Sequence, residues 1–150
     1  MRVLVQLVKE ARVDVAGKTI GRCGRGFLLF VGFARGDSGA TCEKMADKIA
    51  KLRVFPDEGG KTNKSLRDIG GSILSVSQFT LYADCGEGNR PSFAKAMPGV
   101  EGKPLYALFN NMLKERGFAV ETGLFGADMQ VSLVNDGPFT IWLDSEDLFK

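Results

Sequence analysis

A chain of 150 residues is long enough for one domain with a real core, burying roughly 70% of its unfolded surface. Hydrophobic residues are 44% and charged residues 25%, the balance of an ordinary soluble globular protein, and no apolar run reaches the ~20 residues of a membrane span. A net charge of +2 is too small to argue for nucleic acid by bulk electrostatics, and the absence of histidine removes Ser-His-Asp and Cys-His catalysis and every zinc site that needs imidazole.

Met1 to Val8 and Ala11 to Val15 alternate and are β-branched, which predicts two strands or one bent strand. That start lacks a small-residue cleavage site, so no signal peptide is expected and the default compartment is the cytosol. Ala16-Gly17-Lys18 reads as a tight turn and Thr19 to Cys23 as a short return strand. Gly26 to Ala34 is a nearly continuous apolar run, long enough for a buried strand and short for a helix. From Ala40 to Leu52 the period changes. Met45, Ile49 and Leu52, with Ala46 and Ala50, share one helical face, while Lys44, Lys48 and Lys51 lie largely on the other. Arg53 to Phe55 starts a strand, Pro56 to Gly60 turns, and Lys61 to Gly71 is loop-rich.

Ser72 to Tyr82 begins as a strand. Asp84 to Gly102, rich in Gly, Pro and charge, predicts a long loop, which in a compact domain hints at function. A second helix follows. Pro104 suits its first turn, Leu105, Leu108, Phe109, Met112 and Leu113 form its apolar stripe, and Gly117 suits its end. Phe118 to Thr122 reads as a strand, Met129 to Val134 and Phe139 to Leu143 as a hairpin, and Asp144 to Lys150 as a fraying polar tail. No repeat or linker interrupts residues 1–150, so one domain is expected. The fold class is α+β: two β-sheets in a barrel- or sandwich-like arrangement with about two helices packed outside. Its sheet edges need covering, and dimerisation is one way to cover them. Cys23, Cys42 and Cys85 match neither a disulfide framework nor a zinc pattern.

Two stretches carry chemistry. In Asn135-Asp136-Gly137-Pro138, Pro138 stands where a hairpin would want a free N–H, and proline is the residue before which a cis bond costs least. Either the segment is a proline-terminated turn, or it aims two backbone carbonyls where ordinary residues cannot. In Ser77-Gln78-Phe79-Thr80-Leu81, hydroxyls, an amide and backbone N–H groups gather where a buried strand gives way to a loop. Such N–H groups can converge on a developing oxyanion, and an ordinary strand end fits as well. Thr80 could donate a hydrogen bond, or act as a nucleophile that no base activates.

Taken together, the two stretches resemble the paired signatures of the D-aminoacyl-tRNA deacylases. The resemblance also covers Val3 to Gln6, Arg53 to Phe55, Gly70 to Ser72, Arg90 to Phe93, and Glu121 to Val134. It implies a homodimeric cytosolic hydrolase that needs no cofactor and no metal and cleaves the ester between a D-amino acid and the terminal adenosine of tRNA. It implies that Ser77, Gln78, Phe79 and Thr80 line the reaction centre. It implies that Gly137-Pro138, joined by a cis bond, enters the other subunit's site and rejects L-substrates there. Glycine would not be excluded sterically, so mischarged glycyl-tRNA is a further expected substrate. Phe125 and Met129 match positions in the pocket for the terminal adenine. An aminoacyl ester is already activated, and its neighbouring 2′-hydroxyl can help orient water, which suits a chain without histidine. One position departs from the family: Leu7 stands where an arginine commonly follows the first strand's glutamine.

Lys44, Lys48, Lys51, Arg90 and Lys95 are either tRNA contacts or ordinary solvated charge. Two other classes compete with the deacylase: a non-catalytic module binding the aminoacyl-adenosine end of tRNA, and a structural dimer.

Overall fold

The computed structural model describes all residues 1–150. Its first strand, β1 (Arg2–Val15), runs unbroken through both predicted segments. Ala16 and Gly17, both at positive φ (50° and 78°), return the chain into β2 (Lys18–Cys23), as the twist of a two-residue hairpin requires. β3 (Gly26–Gly32) continues along the same edge of β1, so residues 2–8 of β1 face β3 and residues 11–15 face β2. Then come α1 (Gly39–Lys51), the two-stranded ribbon β4 (Arg53–Pro56) and β5 (Thr62–Ser65), and β6 (Ser72–Ser77), parallel to β3. A 3₁₀ turn (Phe79–Tyr82), α2 (Gly99–Glu115), β7 (Val120–Thr122), β8 (Gln130–Asp144) and a short α3 (Ser145–Leu148) complete the chain.

The large sheet curls into a nearly closed barrel. β2 comes to lie against β7, close enough that a Cβ on Gly21 would stand 2.6 Å from the Thr122 carbonyl oxygen. The Arg22 N–H donates to Glu121 across the same seam. The ribbon β4–β5 is the second, small sheet. Fold class and outer helices thus follow the expectation.

Two cores lie on opposite faces of the large sheet. β3 divides between them: Phe27, Leu29 and Val31 face the larger one and Leu28 the smaller. Cys42, Met45, Ala46 and Ile49 of α1 and Tyr106, Phe109 and Leu113 of α2 close the larger core. Val8, Ala11, Val13, Cys23, Leu28, Leu74 and Val76 fill the smaller, inside the curl. Cys23 and Cys42 are therefore buried in different cores; Cys85 is exposed. Burial pushes both buried thiols up to about 11.

Four local expectations are corrected. No hairpin forms at residues 129–143: both halves of β8 pair antiparallel with β1, and Asp136, Gly137, Pro138 and Phe139 bulge out opposite Leu7 alone. A run–turn–run pattern looks alike in both cases, and the long-range pairing with β1 decides. The bulge also changes which core β8 serves. Val131 and Leu133 pack on the smaller core, Phe139, Ile141 and Leu143 on the larger. β1 makes the same change between Leu7 and Ala11, where Lys9 has no partner on β8.

Second, the tail does not fray. Asp144 caps α3 by accepting from the Glu146 N–H, and the Met1 ammonium donates to Asp37 (2.7 Å) and to the buried Ser145 hydroxyl (2.7 Å). Third, α2 begins at Gly99, so Pro104 sits inside the helix rather than in its first turn. Gly99 and Gly102 in its first turn give that stretch the composition of a loop. Its end is as expected: Gly117, at φ 90°, donates to Lys114. Fourth, polar Thr62–Ser65, expected as loop, is a strand because β4 lies beside it.

Candidate active site

β6 ends at Ser77, and there the chain leaves the sheet. The Gln78 N–H still donates to Val31 of β3 (2.7 Å), and its carbonyl lies so near β3 that a Cβ on Gly32 would stand 2.8 Å from its oxygen. Only glycine at 32 lets the chain turn so close to the sheet. Phe79 and Thr80 open the 3₁₀ turn, so their own N–H groups have no partner within it. From below, Arg2 holds the turn: its guanidinium donates to the Leu81 carbonyl (2.9 Å), pairs with Asp144 (2.7 Å) and covers the Tyr82 ring. Burial pushes the Asp144 carboxyl up, but the hydrogen bond from Arg2, the Glu146 N–H and the Arg2 charge outweigh it and hold the group below its ordinary range.

Above this turn opens a cavity of about 710 Å³. Ser77, Gln78, Phe79, Phe125 and Met129, all expected at the site, line it together. Thr80, also expected at the site, is not among the lining residues; its hydroxyl accepts from the Gln78 side-chain amide. Phe125 packs on the Tyr106 ring (centroids 5.8 Å apart) and over Gly99 and Gly102 of α2. Gly123 leaves room for Met129, whose sulfur would stand 2.6 Å from a Cβ there. Phe93 meets Phe79 edge to face at 5.0 Å and forms another wall.

Arg35 is the single charged residue among the lining groups. Neither a carboxylate nor a thiol faces the cavity. Its polar equipment is therefore hydroxyl, amide, backbone and the Arg35 guanidinium, in an apolar aromatic enclosure. Such an enclosure suits a flat heteroaromatic ring and a polar reacting group at its end. Phe93, which the resemblance covers without giving it a role, and Met97 and Arg35, which no sequence signal marks, sit in loops whose approach to the cavity depends on the pinning of Ala96 by Ala34 and of Met97 by Phe33.

Gly137 and Pro138 do not line this cavity. They form the exposed tip of the β8 bulge, and the bond between them is cis. The other edge of β8 pairs with no strand. Lys44, Lys48 and Lys51 are also elsewhere, around a shallow depression with Asp47 and Phe149. Lys95 pairs with Asp84 (2.9 Å).

The chain is similar to known proteins over nearly its whole length. A family model described as D-Tyr-tRNA(Tyr) deacylase matches residues 4–144. A D-aminoacyl-tRNA deacylase of Lactobacillus acidophilus is 60% identical over 144 residues, spanning 96% of this chain and 99% of that one. The D-aminoacyl-tRNA deacylase of Thermomicrobium roseum is 57% identical over 148 residues, spanning 99% and 96%. Among solved structures, a c-Myc DNA unwinding element binding protein superposes with a TM-score of 0.90 at 42% identity, covering 96% of this chain and 98% of that one. A probable eukaryotic D-amino acid tRNA deacylase shares the fold, with a TM-score of 0.83 at 18% identity over 95% and 97% of the two chains. The chain belongs to the D-Tyr-tRNA(Tyr) deacylase family.

Proposed function

We propose that this protein hydrolyses the ester of D-aminoacyl-tRNA, releasing free tRNA and the D-amino acid, and so acts in translation quality control in the cytosol. One observation carries the reading: the cavity joins an aromatic enclosure to a strand-end turn with free N–H groups and offers no side-chain base. An aminoacyl ester needs positioning and oxyanion stabilisation more than proton abstraction. In this reading the terminal adenine lies against Phe125 and Met129, and the ester carbonyl points at the N–H groups of Phe79 and Thr80. Ser77 and Gln78 hold the amino group. Water attacks the carbonyl carbon and the carbon–O3′ bond breaks. The water's proton passes by way of the vicinal 2′-hydroxyl to the leaving 3′-oxygen. Neither metal nor cofactor is required.

The chiral gate comes from a second copy of the chain. The tip at Gly137 and Pro138 stands outside its own cavity, and β8 offers a long unpaired edge beside it. In a homodimer the tip enters the neighbouring cavity, where its carbonyls occupy the space an L side chain needs. Glycine has no side chain to clash, so glycyl-tRNA is also hydrolysed.

The test is hydrolysis of D-tyrosyl-, L-tyrosyl- and glycyl-tRNA by the purified protein with chelator present. Loss of the D- and glycyl esters with the L-ester spared is the expected result. Tight, salt-dependent binding without hydrolysis would instead favour a module that only captures the aminoacyl-adenosine end. A monomer by analytical ultracentrifugation would remove the gate.

A further inference from the structure

The tip needs something to hold it still, and the side chain at position 7 does not do so. Leu7 is buried in the larger core at 4% exposure, and its side chain has no hydrogen-bonding group to offer the bulge. Its backbone pairs with Phe27 on β3 but is left over on the β8 side. Gln6 pairs with Thr140 and Val8 with Asn135, so Leu7 has no partner on β8. An unpaired carbonyl here would cost what any buried orphan costs.

Asn135 resolves this. Its Nδ2 donates to the Leu7 carbonyl (2.9 Å) and to the Phe139 carbonyl (3.0 Å), while its Oδ1 accepts from the Phe139 N–H (3.2 Å). One amide thus closes the neck of the bulge and stands in for the ladder that the bulge interrupts. The amino-side end of the tip is fixed because Asn135 itself pairs with Val8. The carboxyl-side end is fixed because both polar backbone groups of Phe139 are tied to that amide. Between these two anchors only Asp136, Gly137 and Pro138 remain, so the direction of the Gly137 and Pro138 carbonyls follows from the neck.

No other side chain does this at this length. Aspartate has no donor and would put a carboxylate beside two carbonyl oxygens; glutamine is one methylene too long.

We propose that Asn135 is the positioning residue of the Gly137–Pro138 tip, and that in this chain it sets the discrimination between D- and L-aminoacyl esters. This rests on the deacylase reading above. Asn135 does not line the cavity, so it acts through the tip alone.

The experiment compares the unaltered protein with Asn135→Ala and Asn135→Asp, following single-turnover hydrolysis of D-tyrosyl-tRNA and of L-tyrosyl-tRNA. The expected result is a rise of at least tenfold in the ratio of L- to D-ester hydrolysis in both variants. A general loss of structure would lower both rates together and leave the ratio where it was. An unchanged ratio in a folded variant overturns the proposal. So does failure of both variants to fold, judged by circular dichroism, because the amide is then a structural requirement rather than a positioning one. Failure of the unaltered protein to hydrolyse the D-ester counts instead against the deacylase reading, and this control separates the two.

Discussion

Phe79 makes two separable contributions, a ring and an N–H. The ring meets Phe93 and walls the cavity, while the N–H is free at the start of the 3₁₀ turn. Proline suits the first position of a helical turn, and the preceding Gln78 is already at φ −147°, ψ 82°, outside the helical region that proline disfavours in the residue before it. Phe79→Pro should therefore keep the turn and delete both ring and donor, whereas Phe79→Ala deletes the ring alone, so the difference between the two reads the donor. Measured on a D-aminoacyl ester, the proline variant should lose on the order of 100-fold more in kcat than the alanine variant, the usual effect of removing an oxyanion donor. Thr80→Ala should cost less than about tenfold, since its hydroxyl serves as acceptor to Gln78 and no base activates it. Complete loss in a folded Thr80→Ala protein would instead make Thr80 a nucleophile or an essential donor.

At the scale of elements, the turn is positioned by its neighbours. Gly32→Ala would press a methyl group to within 2.8 Å of the Gln78 carbonyl oxygen, a backbone atom with little room to give, and to 3.3 Å from the Leu81 Cβ. Overpacking of that kind costs about 1–3 kcal/mol, and here it should lower kcat as well as the melting temperature because the displaced atoms are those of the site. The clasp between Arg2 and Asp144 gives a pH signature. The folded Asp144 carboxyl is held below its ordinary value, so its contribution to stability is fully present above the unfolded value of about 4 and is lost as pH falls through the lower folded value. Melts recorded from pH 7 to pH 3 should show the gap between the unaltered protein and Asp144→Asn closing in acid. Elements whose own side chains carry their period were legible in the sequence: the Met45–Ile49 face of α1, the apolar run of β3, and the glycine stop after α2. What failed depends on distant partners. Thr62–Ser65 has no pattern of its own, and Asn135–Pro138 reads as a turn until β1 is laid beside it. Ser77 to Phe79, Phe125 and Met129 line one cavity, while Thr80, Gly137 and Pro138 do not. Arg35 and Phe93 come from loops whose route is set by single backbone pairings.

At the scale of the whole molecule, the two cores share the sheet, and β1 and β8 each pass from one to the other. Each core also encloses one thiol, Cys42 in the larger and Cys23 in the smaller, and burial holds both up at about 11. The molecule therefore carries its own probes of cooperativity. A thiol reagent at pH 8 should modify Cys85 at once and the other two only when their surroundings open. If strands that cross between the cores couple them into one unit, Cys23 and Cys42 will be modified at the same rate as denaturant is raised below the transition. Different rates, read by mass spectrometry of the labelled peptides, would mean that the barrel interior and the helix-covered face open separately.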